Sequence, residues 1–170
     1  MTTGNLSPDR VSLLNGAGKV ELMATSWKDD LTVGVPFMDA EHAGLISTLT
    51  ELGELVDGTA PADTNPLAQL PRSTAVRIQL GRLRVEVGIH FSHEEQVMRS
   101  CGYPLIVRHT TKHTKFLDEL DRMTDRFTTG EEDIAERVAR FVQVWFARHT
   151  RDCDTQLSAW LLANHPTVTI

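Results

Sequence analysis

Four stretches of this chain repeat apolar residues at intervals of three and four, and every one of these repeats is interrupted by histidine or a carboxylate. Such spacing gathers residues on one face of a helix, so it predicts four amphipathic helices whose apolar faces bury one another. The first is expected to run to Val56 from Asp39, read as its N-cap because Gly34 and Pro36 argue against helix before it. Its inward face is His42, Leu45, Ile46, Leu49, Leu52 and Val56. Pro61, Pro66 and Pro71 then force the longest connection. The second helix spans about Arg72 to Ser100, with Val76, Leu80, Leu83, Val87, His90, Glu94 and Val97 inward, Phe91 and Met98 alongside, and Gly102 at its end.

A third helix, from about Leu105 to Phe127, stacks Leu105, His109, His113, Phe116, Leu120, Met123 and Phe127. A fourth, from about Glu131 to Leu162, repeats Ile134, Val138, Phe141, Val142, Trp145 and His149. No alternating strand pattern competes. The expected fold is therefore all-α, an antiparallel up-down-up-down four-helix bundle over residues 27–163, with a poorly ordered extension at 1–26 and a short tail at 164–170.

Composition narrows the function classes. A net charge of −6 at pH 7 without any Lys or Arg cluster leaves no footprint for nucleic acid or anionic lipid. There is no apolar run long enough for a membrane span and no secretory leader pattern, so a cytoplasmic protein is expected. The two cysteines, Cys101 and Cys153, lack CxxC spacing; they suit a reducing compartment, offer no thiolate metal site and read as packing residues.

A histidine on an apolar face is by itself more often a hydrogen-bonded core residue than a ligand. Here, however, His42, His90 with Glu94, His109 with His113, and His149 fall on all four stripes, and the i, i+4 pairs present two side chains to one point. Burying so many unpaired polar groups costs several kcal/mol for each, roughly, unless a cation gathers them. Imidazole with carboxylate suits iron, zinc, copper or nickel, and the donors outnumber what one tetrahedral ion needs, which points to two metals. The metalloprotease pattern HExxH is incomplete in both HEEQV and HTTKH, and the inward stripes carry no Glu-x-x-His repeat of the ferritin-like oxidases.

From Trp27 to Leu161 the chain resembles the hemerythrin family, in particular its single-domain bacterial members. The resemblance rests on Trp27, Gly34-Val35, DAEH ending at His42, HFSHE from His90 to Glu94, Tyr103-Pro104, HTTKH from His109 to His113, and HTRDCD from His149 to Asp154. It implies two non-haem iron ions joined by a bridging oxo or hydroxo group. His109, His113 and His149 would hold one iron, His42 and His90 the other, and Glu94 and Asp154 would bridge them. One iron is left a ligand short, and there the family binds dioxygen. Asp154 enters through the resemblance alone, since five residues turn about 140° around an α-helix, away from the stripe of His149.

Leu45, Trp145, Phe146 and Thr150 are expected to wall the oxygen pocket. Thr150 stands where the family usually has a bulky aliphatic residue, and Glu41 where glutamine is common; Glu41 and His93 are both expected to be solvated. The implied function is reversible dioxygen binding for storage, delivery or sensing, with no added catalytic group in evidence. Two alternatives stand beside it: peroxide or nitric oxide turnover, for which Cys153, Thr150 or Tyr103 are the extra candidates, and an iron-responsive sensor whose protein partner the sequence does not name.

Overall fold

Proline sets the start of the first helix. In the computed structural model, which describes residues 31–128 and 134–165, α1 runs from Pro36 to Asp57 with Val35 as its N-cap, four residues earlier than Asp39 as N-cap predicts. Pro36 occupies the first turn, where its missing N–H costs nothing and its fixed φ is already helical. Asp39 instead sits inside the helix, and its carboxylate reaches back to accept from the backbone N–H groups of Val33 (2.7 Å) and Gly34 (3.1 Å). The loop before α1 is thereby tied to the helix, with Gly34 at φ 80°, a left-handed value that a side chain would resist.

A single 3-10 turn at Pro66–Gln69 punctuates the long connection to α2 (Arg72–Cys101). Gly102, at φ 69°, closes α2 and lets the chain turn into α3 (Ile106–Thr128). The last rod has three pieces: α4 (Ile134–His149), a π-helical turn (Thr150–Asp154) and α5 (Thr155–Asn164). The expected extension at 1–26 and most of the tail at 164–170 lie outside the described residues, as do Trp27 and Glu131. Among the described residues, no helix is long and apolar enough to cross a membrane.

α1 packs on α2, α2 on α3, α3 on α4 and α4 on α1, which closes a ring of four helices. Partners ascend along one helix as they descend along the next. Glu41 meets His90 whereas Glu51 meets Arg82, and Glu95 meets His113 whereas Arg84 meets Asp121, so α1 and α2, and likewise α2 and α3, run antiparallel. The predicted inward residues of α1 and α2 are buried throughout. Leu105 is not: at 40% exposed it lies on the turn before α3, where helical periodicity no longer applies.

The interior is layered. One apolar cluster includes Leu45, Leu49, Leu80, Leu83, Phe91, Phe116, Leu120, Val142 and Phe146. A smaller one joins Val35, Met38, Val97, Met98, Tyr103, Leu157 and Leu161. On every one of the four rods the polar inward residues fall in sequence between a member of the first cluster and a member of the second, so a polar layer divides two apolar ones. Leu80 is fully buried far from that layer in sequence, and Leu80→Ala is expected to cost about 2–5 kcal/mol in urea unfolding without altering metal content.

Candidate metal centre

Seven buried side chains meet in the polar layer. Glu94, His109, His113 and His149 present ligand atoms within 4.8 Å of one another, and His42, His90, Glu94 and Asp154 do the same, so the two groups share Glu94. Asp154 belongs to both in space as well: its carboxylate oxygens lie 3.1 Å from His149 Nε2, 3.2 Å from His109 Nε2 and 3.6 Å from His42 Nε2. Glu94 stands 3.2 Å from His113, 3.4 Å from His109 and 3.7 Å from His90, again at Nε2. Each carboxylate therefore reaches two imidazoles of the three-histidine group and one of the two-histidine group.

Asp154 reaches this place because the helix widens. Across the π turn the backbone bonds i to i+5, which brings residues five apart nearly one above the other, so His149 and Asp154 share a face that an α-helical pitch would deny them. Thr155 completes the turn by donating its hydroxyl to the Thr150 carbonyl at 3.0 Å.

The outer ring nitrogens determine what the inner ones can do. His42 Nδ1–H donates to the Leu31 carbonyl (2.9 Å), His90 Nδ1–H to the Glu41 carboxylate (2.9 Å) and His113 Nδ1–H to Glu95 (3.2 Å). In a neutral imidazole this leaves Nε2 with a lone pair and no proton. Those lone pairs face carboxylate oxygens that are themselves acceptors, and among the described residues His42 Nε2, His90 Nε2 and both oxygens of Glu94 and of Asp154 have no hydrogen-bond partner. His149 Nε2 stands 2.9 Å from His109 Nε2 and 3.0 Å from His113 Nε2. A buried layer of converging acceptors is stable only around positive charge.

Protons are the alternative source of that charge. Burial alone would make His109 harder to protonate, but Asp154 and Glu94 outweigh it and lift its pKa to about 9. Burial and Asp154 push Glu94 upward, yet the surrounding imidazoles bring it down to about 2, and Asp154 is held well below the carboxylate range by His109, His149 and His42. His42, by contrast, is lowered by burial and by His90. The carboxylates thus remain anionic and demand a cation from among the imidazoles or from a metal.

Glu41 remains a quarter exposed, as its sequence neighbourhood suggests, but it is also engaged: its carboxylate bridges His90 and the half-exposed His93. The spacing of residues 41 and 90 carries no signal of this bond, which forms only once α1 packs on α2. Glu41→Ala removes the acceptor that orients His90, and about 10- to 100-fold weaker metal binding is expected in a chelator competition, with Glu41→Gln, which still accepts, near wild type.

Aromatic rings line the layer unevenly. Phe146 lies edge-on to His42 (5.1 Å between centroids) and near His90 (6.2 Å), on the two-histidine side. Trp145, half-buried, stacks on His149 at 4.3 Å, and Phe91 stacks on His113 at 3.7 Å, both on the three-histidine side. Leu45 and Thr150 are buried, and the Thr150 hydroxyl lacks a partner among the described residues.

An all-α ring of four helices enclosing a dinuclear-capable His and carboxylate cluster defines a metal-binding four-helix bundle. Compared with protein families, residues 33–161 match the Hemerythrin HHE cation binding domain, and the chain belongs to that family. It is similar to the bacteriohemerythrin of Stenotrophomonas maltophilia, at 26% identity over 132 residues covering 75% of each chain. It is likewise similar to that of Pseudomonas aeruginosa, at 24% over 128 residues and 75% of each. With the Clostridium acetobutylicum bacteriohemerythrin it shares 22% over 131 residues, covering 76% of this chain and 95% of the relative.

Proposed function

We propose that this chain binds dioxygen reversibly at two non-haem iron ions with a bridging oxo or hydroxo group. The observation that carries the reading is the asymmetry of the imidazoles, three in one group and two in the other: with Glu94 common to both groups and Asp154 also reaching His109 and His149, one of two ions is left a donor short and open to a small ligand. His109, His113 and His149 would hold the filled ion, His42 and His90 the open one, with Glu94 and Asp154 shared. Imidazole-rich donor sets without thiolate suit iron, and membership of the family favours it over zinc.

When bound, a ferrous pair supplies the two electrons that dioxygen takes up and returns. The chain's own part is to hold and to shield. Leu31, Glu41 and Glu95 fix three imidazole tautomers with their lone pairs inward. Phe146 and Leu45 keep the two-histidine side apolar, which restrains water from reaching a reacting centre. Neither cysteine is paired in a disulfide, in keeping with a reducing, cytoplasmic setting.

Metal analysis is expected to give two irons per chain. Absorption spectra of the reduced protein should gain charge-transfer bands in air and lose them again under vacuum; rapid irreversible oxidation, or a single iron, defeats the proposal and favours a redox enzyme. Thr150 is the one fully buried hydroxyl among the suggested wall residues and has no partner among the described residues. Thr150→Ile removes that polar group, and the loss of the reversible response in air is expected to slow several-fold, an order given by about 1 kcal/mol of polar destabilisation.

A further inference from the structure

We propose that Lys112 and Cys153 form an oxidation-dependent covalent bridge in which one oxygen joins Nζ to Sγ, tying α3 to the π turn. The two atoms already stand 2.7 Å apart, shorter even than the roughly 2.9–3.0 Å typical of an N–H···O bond, although sulfur is the larger atom. Lys112 is half-buried, and among the described residues its ammonium meets no carboxylate within 4.0 Å; the sulfur is its partner. An ordinary surface lysine would extend into water or pair with an acid, and several stand nearby in sequence.

Cys153 is 8% exposed yet reachable. It lines a small surface cleft whose other walls include the exposed residues Leu105, Arg108 and Asp152, which is where a small oxidant would approach the thiol. Cys101, the other cysteine, points its sulfur to the Met98 carbonyl of its own helix at 3.7 Å, and among the described residues no lysine bonds to it. The pairing is thus particular to Cys153.

The chemistry balances with hydrogen peroxide as oxidant. One equivalent converts the thiol to a sulfenic acid and leaves as water, sulfur losing two electrons. Lys112, having given its extra proton to solvent, then bonds through nitrogen to the sulfenic oxygen. The N–H and O–H hydrogens and two further electrons pass to a second peroxide, which leaves as two waters. A dithiol reductant returns four electrons and four protons, restoring thiol and amine and releasing one water. The bridge would brace α3, which carries His109 and His113, against the turn that carries Asp154.

The test is peptide mapping of the full chain, as purified, before and after graded hydrogen peroxide. The expected result is a linked pair of peptides containing Lys112 and Cys153, about 14 Da heavier than their sum because one oxygen is gained and two hydrogens lost, and released by dithiothreitol. Lys112→Arg should stop at the sulfenic acid or its further oxides, Cys153→Ser should show no linked peptide, and Cys101→Ser should keep it. The proposal is overturned by a gain of about 16 Da or its multiples on Cys153 without linkage in the wild-type chain. It is equally overturned by a Cys101–Cys153 disulfide, or by a Cys153 that peroxide leaves unmodified.

Discussion

Stripping the metal with a strong chelator is expected to lower the unfolding midpoint by at least about 10 °C. The cluster explains the size: five imidazoles and two carboxylates are buried with converging acceptor atoms, and removing the ions leaves them to be neutralised by protons alone. Ions held at a thousandfold excess over their dissociation constant stabilise the folded chain by about 4 kcal/mol each, and in a domain of this length about 1 kcal/mol moves the midpoint by about 2–4 °C. Scanning calorimetry of the metal-free and iron-reloaded chain measures it. A metal-free form that melts with the loaded one would mean that the buried layer satisfies itself, and the metal reading would fail with it.

The second large effect separates the shared ligands from the private ones. Glu94 belongs to both donor groups, so on the proposed dinuclear reading Glu94→Ala is expected to bring metal content to near none, because each ion loses a donor and the anionic charge that holds the pair together. His113 belongs to only one group, so His113→Ala should weaken one ion and leave the other site's donors complete. Elemental analysis after gel filtration, with circular dichroism to confirm the helices, reads both. If Glu94→Ala and His113→Ala lose the same single ion, the carboxylate is not shared and the two groups do not form one dinuclear centre.

The acid side follows from the same groups. Glu94 is depressed to about 2, below its ordinary value, so in the metal-free chain its favourable contribution is present above about pH 4.5 and is lost as pH falls toward 2. His109 runs the other way. Raised to about 9, it favours the folded chain fully below about pH 6.5 and ceases to do so as pH rises through 9. Metal-free chain should accordingly be most stable between these limits.

The polar layer was legible residue by residue for six of its seven members. His42, His90, Glu94, His109, His113 and His149 lie on apolar stripes because a buried helix face must repeat every three or four residues, and a ligand on that face keeps the period. Hydrophobic spacing likewise marked out four helices and the glycine that ends the second. These features are local, so the order of residues along the chain suffices to determine them. Asp154 obeys no α-helical period, and motif likeness alone singled it out.

What only the packed structure decided is whatever depends on two elements meeting or on a departure from ideal pitch. The π turn after His149 rotates Asp154 inward, and nothing in TRDCD dictates that the backbone should widen there. Pro36 starts α1 where Asp39 had seemed its cap, because the aspartate's acceptor serves a loop that folds back on the helix. Glu41 finds His90 and Lys112 finds Cys153 across separations of 49 and 41 residues. Side-chain periodicity reports which way a residue faces on its own helix, whereas hydrogen bonds between helices depend on the distance and register of a neighbour, and those are set by how the whole core packs.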